Sequence, residues 1–272
     1  MRRWELVILL LGSSLMWGAA LAPDTAEIIQ RSAEANNRDW AAAPKYSYVE
    51  RDRTGHGSKT YRVSMILGSP YRELVAVDGR PLPADQQAEE QRKLQQEVDR
   101  RRNETPAQHD ARVAAYEEGR RRDHLLISQL TAAFNFKLVG RQTIAGRKVY
   151  VLQARPKRGY VPPNRDTKVL TGMQGRLWID SQTFQWVKVE ARVIQPVWIE
   201  GFVARVYPGT RFGLTYAPVG DDIWEPTHFV MSSHARVLFV FSRHSQANQS
   251  YSDYQLQTSA QAVSNGNNNS TR

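Results

Sequence analysis

The chain has no cysteine among its 272 residues, and this absence removes several kinds of chemistry. Disulfides, thiolate metal sites and cysteine nucleophiles are excluded. A lipid anchor on a cysteine behind a leader is excluded for the same reason. Motifs of other enzymes are also missing, because the sequence has no Gly-x-Ser-x-Gly, no phosphate-binding loop and no Gly-x-Gly-x-x-Gly.

Long apolar runs are also scarce, and the candidate for one lies at the N-terminus. A basic start precedes an apolar run from Leu6 to about Trp17, and small residues follow it. This pattern is typical of a secretory signal peptide, here residues 1–22, and the run is short for a membrane span. Cleavage after Ala20, cleavage after Ala22 and a retained anchor all remain open. We expect an exported, periplasmic protein.

Basic residues exceed acidic ones, 37 to 27, which gives a formal net charge of +10. Residues 84–124 hold nine basic and ten acidic side chains, so the excess lies in the remaining, predicted β portion. A basic exported surface favours anionic partners such as phospholipid headgroups, lipopolysaccharide or acidic proteins. The alternative is a charge that merely keeps the protein dispersed. Nucleic acid is not expected as a partner.

Residues 175–193 predict two antiparallel strands joined by a polar turn at 180–182. A period of two places alternate side chains on opposite faces. One face is predicted to carry Val187, Val189, Ala191 and Val193, and the other Trp186, Lys188, Glu190 and Arg192.

The rest of the chain predicts a leading helix, with a start capped by Asp24 or Thr25, and ten to twelve short strands in all. Residues 224–244 are predicted as two strands hinged near 232–233, and 197–206 as a strand or a short helix. The helix is expected over 24–40, and the other strands over 46–51, 59–66, 71–77, 136–140, 148–153, 211–216 and 249–256.

Residues 84–133 interrupt the strands with a charged helical hairpin. The first helix is expected over 84–102, with Asn103 as a left-handed C-cap. The second begins at a capping box, Thr105 to Gln108, with Pro106 at the first helical position. Its second half is apolar and is expected to dock on the sheet. The arginine runs 100–102 and 120–122 indicate either a solvated face with ion pairs or a docking surface for a partner.

Histidines are the remaining candidates for catalysis or metal binding. His228 and His234 share a strand face and His244 follows, with Asp221, Asp222 and Glu225 near them in sequence. Their spacing matches no metal motif, and polar strand-face histidines are the favoured interpretation. We therefore expect no metal, no cofactor and no enzymatic activity.

Aromatic side chains favour a binding role, since a concave apolar pocket is what a lipid-like ligand needs. The alternative is that these side chains simply form the core. The candidate ligand-binding residues are Tyr150, Trp178, Trp186, Trp198, Phe202 and Trp224.

Three stretches, 146–154, 156–160 and 175–190, carry a family resemblance. Tyr-x-Leu-x-Ala-x-Pro-Lys at 150–157, followed by Leu-Trp-Ile-Asp at 177–180, resembles the outer-membrane lipoprotein carrier family of LolA-like, LolB-like and RseB-like proteins. The resemblance also extends to exported bacterial proteins with a similar helical insertion. That insertion departs from the small helical segments of the carriers.

The resemblance implies an α+β fold in which a large, strongly curved antiparallel sheet forms a half-open β-barrel with helices on its concave side. The expected organisation is one domain over 23–260, with the insertion at about 84–133 and a disordered tail over 261–272. The implied function is a periplasmic carrier or binder of an acyl chain or lipoprotein, with peripheral membrane contact. The alternative is a non-catalytic interaction or stress-sensor module that docks a protein partner through the insertion.

Overall fold

A computed structural model describes residues 23–198, 204–220, 222–237 and 241–257. The predicted signal peptide, the predicted tail and Phe202 lie outside the described residues. Among the described helices, none is both long and apolar enough to cross a membrane.

The fold is built on one antiparallel sheet of thirteen strands, whose main path runs β4-β3-β2-β1-β13-β12-β11-β8-β7-β6-β5. Over the described residues the sheet is not closed, because β4 and β5 end this path. The expected α+β fold with an open, curved sheet is confirmed. The strands are β1 (Tyr46–Thr54), β2 (Gly57–Ile66), β3 (Ser69–Val77), β4 (Arg80–Pro81), β5 (Phe134–Ile144), β6 (Arg147–Pro156), β7 (Met173–Asp180), β8 (Trp186–Val193), β9 (Val197–Trp198), β10 (Ala204–Val206), β11 (Arg211–Gly220), β12 (Ile223–Val237) and β13 (Phe241–Leu256).

The first and third helices begin at the capping residues that the sequence predicts. Asp24 Oδ1 accepts a hydrogen bond from the Glu27 amide at 2.8 Å, and Thr105 forms the expected capping box with Gln108. The predicted left-handed cap at Asn103 is wrong, since its φ is −93°. The helices are α1 (Thr25–Ala42), α2 (Ala84–Arg102), α3 (Pro106–Ser128) and α4 (Leu130–Ala133).

A β-bulge at the start of β8 corrects the predicted faces of that strand. Trp178 lies opposite Lys188, but the next residue, Ile179, lies opposite Trp186. Val187 is therefore the extra residue, and a bulge turns one side chain to the other face. Trp186 joins the face predicted for the valines, and Val187 leaves it.

The predicted hinge at 232–233 is also wrong. β12 runs without a break through Ser232 and Ser233, because ten consecutive residues of it pair with β13. The predicted strand 249–256 is the second half of β13, which also pairs with β1 over Tyr46–Arg53. In this register, His234 lies opposite His244.

Buried side chains lie on both faces of β6, β7 and β8. We call the larger group, which packs against α1, α3 and α4, the helix-side cluster, and its members include Ile28, Tyr150, Leu152, Leu177, Ile179, Trp186 and Val193. The smaller group on the opposite, outer face is the outer cluster, formed by Val149, Val151, Trp178, Val187 and Trp224. At the end nearest the β7–β8 turn, these strands therefore bury apolar side chains on both faces. Farther along, their outer face carries exposed charged side chains such as Arg176 and Arg192.

Two arginines anchor the α2–α3 hairpin to the β2–β3 turn. Arg101 is buried and donates to the carbonyls of Ile66 and Ser69 at 2.7 and 2.8 Å. Arg112 donates to the Leu67 carbonyl at 3.0 Å. The turn also needs glycine at position 68, because its φ is +90° and a Cβ there would lie 2.8 Å from Val113. The arginine runs thus form part of an ion-paired, internally anchored hairpin.

Replacing Arg101 by Met should lower the free energy of unfolding by about 3 kcal/mol, because it leaves buried turn carbonyls without donors. Chemical denaturation measures this change. The matched control is Arg102→Met on the exposed side of the same helix turn, which should change stability by about 0.5 kcal/mol or less. Equal losses in both variants would contradict the anchoring role.

Candidate ligand site beneath the helices

An apolar cleft of about 230 Å³ separates the helices from the sheet. α1 forms one wall, the junction of α3 and α4 forms the other, and the helix-side face of the sheet forms the floor. Its lining is mainly apolar, with small polar side chains at intervals. The lining residues are Ile29, Ser32, Ala33, Asn36, Asn37, Ile127, Ser128, Leu130, Thr131, Phe136, Leu177 and Trp186.

Trp186 fixes the geometry of the floor. Its indole Nε1 donates to Ser32 Oγ at 2.7 Å, so the polar edge of the ring is satisfied by α1. The same ring meets Tyr216 edge-on at 6.1 Å. With its N–H occupied, the ring offers the cleft an apolar surface.

Two asparagines of α1 give the cleft its polar character. The buried Oδ1 of Asn36 has no hydrogen-bond partner among the described residues. Such an orphaned acceptor costs free energy unless a ligand or water donates to it. Asn37 Oδ1 lies 2.9 Å from His124 Nε2, and His124 stacks on Trp40. Burial, together with the Arg120 charge, lowers the pKa of His124, which favours the neutral ring.

The structure separates the six predicted ligand-binding residues. Trp186 lines the cleft, and Tyr150 lies in the same helix-side cluster with only 6% of its surface exposed. Trp178 and Trp224 belong to the outer cluster instead. Trp198 is half-buried on β9, and Phe202 lies outside the described residues.

The outer pair of tryptophans has its own polar contacts. Trp178 Nε1 donates to Gln142 Oε1 at 2.9 Å. The Arg147 guanidinium lies 4.8 Å from the centre of the Trp224 ring and 3.3 Å from the Asp180 carboxylate. These contacts join β7 to β5 and to β6, and β6 to β12, on the face away from the cleft.

Most of the cleft's apolar lining is aliphatic, and the aromatic candidates did not include it. Ile127 and Leu130 belong to the apolar half of the predicted second helix, which the structure divides at Gln129 into α3 and α4. Their spacing of three residues was the available signal, because it places them on one helix face. In α1, the spacing of four residues between Ile29 and Ala33 gave a similar signal.

Two carboxyl groups are buried where α1 meets β12. Asp39 Oδ1 accepts from the Trp224 amide at 3.1 Å, while Glu225 Oε1 has no partner among the described residues. Burial raises the pKa of Asp39 to about 6, against the lowering effect of hydrogen bonds from Trp224 and Gln185. Burial, and then the Asp39 charge, raises the pKa of Glu225 to about 8. In the part of the chain that the structure describes, no three His, Asp or Glu residues are grouped to hold a metal.

The raised pKa values predict a stability that falls as the pH rises. Between the unfolded value near 4 and the folded values of Asp39 and Glu225, the native state binds more protons than the unfolded state. The free energy of unfolding should therefore fall from about pH 5 to about pH 9, and Glu225→Gln should reduce this fall by about 1–2 kcal/mol. Urea denaturation at several pH values measures both curves.

The control for that measurement is Glu118→Gln, which removes a carboxylate that is 69% exposed on α3. Its curve should run parallel to that of the unchanged protein. If the Glu225→Gln curve also ran parallel to that of the unchanged protein, the buried carboxyl pair would not be the source of the pH dependence.

Comparison with solved structures gives matches over most of the chain at low similarity. A LolA superfamily protein from Nitrosomonas europaea matches at 13% identity and a TM-score of 0.33, covering 87% of this chain and 95% of its own. A putative outer membrane lipoprotein-sorting protein domain from Vibrio parahaemolyticus matches at 11% and 0.31, covering 85% and 92%. MucB in complex with MucA matches at 15% and 0.24, covering 88% and 97%.

These structures are of the kind that the sequence resembles. No family model and no curated protein matches the sequence.

Proposed function

We propose that this chain is a periplasmic carrier or binding protein that takes an acyl chain, free or attached to a lipoprotein, into the cleft between its helices and its sheet. The observation that carries this proposal is the apolar cleft floored by Leu177 and Trp186. Burying apolar ligand surface there contributes roughly 25 cal/mol per Å². The basic start and apolar run of residues 1–22 support export.

The lining supports binding rather than catalysis. Its polar members are hydroxyl and amide side chains, and none of its residues is a carboxylate or a histidine. General acid–base chemistry needs a group that titrates near neutral pH within reach of the ligand. The raised carboxyl groups, Asp39 and Glu225, are not among the lining residues.

The size of the cleft implies that it widens on binding. Sites for small molecules usually enclose roughly 300–1,000 Å³, and this cleft encloses about 230 Å³. A long acyl chain therefore requires α1 and the α3–α4 wall to move apart. Across that gap, Asn37 contacts His124, and Arg120 donates to the Trp40 carbonyl. A few exchangeable polar contacts of this kind suit a wall that opens.

Filling the cleft should block the ligand. Ala33 lines it from α1, so the indole of Ala33→Trp should occupy the space that an acyl chain needs. Binding of a long-chain fluorescent fatty acid should weaken by about tenfold or more, which corresponds to a loss of roughly 1.4 kcal/mol of binding free energy. Titration of the full chain, followed by fluorescence, measures the affinity.

The matched control is Ala26→Trp, which adds the same side chain to an exposed position of the same helix. It should leave the affinity unchanged. Equal affinities for both variants, or native mass spectra of the purified protein that never show bound lipid, would contradict the proposal.

A second candidate function is a non-catalytic interaction or stress-sensor module that docks a protein partner through the α2–α3 hairpin. The anchoring by Arg101 and Arg112 favours it, because an anchored hairpin presents a fixed charged surface. A fixed surface loses little conformational freedom when a partner binds.

A photo-crosslinking amino acid at Glu118, on the exposed side of the hairpin, tests this second function in intact cells. It should give a discrete protein adduct that the same group at Glu34, exposed on α1, does not give. Identical adduct patterns at the two positions would rule against the hairpin as the docking element.

A further inference from the structure

The outer face of the sheet carries a row of arginines around an open groove of about 470 Å³. Arg176 on β7, Arg192 on β8 and Arg211 on β11 project from three adjacent strands, with Gln153 and Gln174 beside them. This groove lies on the face opposite the cleft and the helices. We call it the arginine groove.

Two of these arginines are placed against each other. Arg192 and Arg211 are direct partners in the pairing of β8 with β11. Like charges directly opposite each other on one face destabilise a sheet. The fold therefore bears an electrostatic cost at this point, which a bound anion would relieve.

Neighbouring side chains leave most of this charge unneutralised. Glu190 is the one carboxylate in the lining; it lies opposite Arg176 in the pairing of β7 with β8, but its ion pair is with Lys188. The Gln174 amide is placed with its oxygen toward Arg192, and this oxygen accepts from Arg192 Nε at 2.7 Å. The bond orients the guanidinium without cancelling its charge. Among the described residues, no carboxylate lies within ion-pair distance of Arg176 or Arg211.

The positive band extends beyond the groove along the same face. Lys137 on β5 pairs with Gln153, which in turn pairs with Arg176. Arg155 on β6 is exposed and follows Gln153 by two residues, so it shares that face. With strands about 4.8 Å apart, the band is wider than a single small anion needs.

We propose that the arginine groove binds lipid phosphates at the surface of an anionic phospholipid bilayer. Guanidinium groups pair with phosphate oxygens through two parallel hydrogen bonds, and a band of them matches an extended negative surface. The open groove admits a headgroup from outside the sheet. Binding there leaves the helices and the cleft free on the opposite face. The proposal stands independently of the acyl-chain function.

The test uses the full chain and two triple variants with the same change of charge. The groove variant loses the three positive charges of the groove through Arg176→Gln, Arg192→Gln and Arg211→Gln. The hairpin variant loses three positive charges of the α2–α3 hairpin through Arg92→Gln, Arg102→Gln and Arg121→Gln. Co-sedimentation is measured with vesicles of phosphatidylglycerol and phosphatidylcholine, and with vesicles of phosphatidylcholine alone. Calorimetric titration with inorganic phosphate is the second arm.

The unchanged protein should bind the anionic vesicles and not the neutral ones. Each basic residue near an anionic surface contributes about fivefold, so the groove variant should lose about a hundredfold in vesicle affinity. The hairpin variant should stay within about twofold of the unchanged protein.

Three outcomes overturn the proposal. Equal losses in both variants show that net charge alone drives the binding. Unchanged vesicle binding by the groove variant places the contact elsewhere. Binding of inorganic phosphate at the groove without vesicle binding identifies a site for a free anion instead of a membrane surface.

Discussion

The contact between α1 and the helix-side face of the sheet is the interaction on which both buried sites depend. Ser32 accepts from the Trp186 indole, and Asp39 accepts from the Trp224 amide two helical turns further on. These two acceptors tie one helix to β8 and β12. They set the width of the apolar cleft at one end and enclose the buried carboxyl groups at the other. A small change in the position of α1 therefore alters both the apolar cleft and the surroundings of the buried carboxyl groups.

Local signals in the sequence predicted the helices and many of the strands well. The first insertion helix has the predicted bounds because its residues between Pro83 and Asn103 favour a helix, although the predicted left-handed cap at Asn103 does not form. The failures came from pairing between strands. Trp186 changes face because of a bulge against β7, and β12 continues through Ser232 and Ser233 because β13 lies beside it. A single strand's pattern contains neither fact.

The structure places only some of the predicted ligand-binding residues at the apolar cleft. Trp178 and Trp224 lie in the outer cluster and not at the cleft. The strands bury side chains on both faces at this end, so an aromatic residue in the sequence does not reveal which face it joins. Ile127 and Leu130 carried a readable helical period, yet their partner surface was fixed only by the tertiary fold. The arginines of the outer face were counted in the net charge, and strand register then brought them together.

The pairing of β1 with β13 has a consequence for how the protein is made. These strands lie in the middle of the sheet although about two hundred residues separate them along the chain, a contact of the kind that slows folding. Until β13 is available, β1 and β12 are two unpaired edges, and the sheet exists as two halves. A chain without β13 cannot join them. The two halves of the sheet therefore join only after synthesis has passed β13.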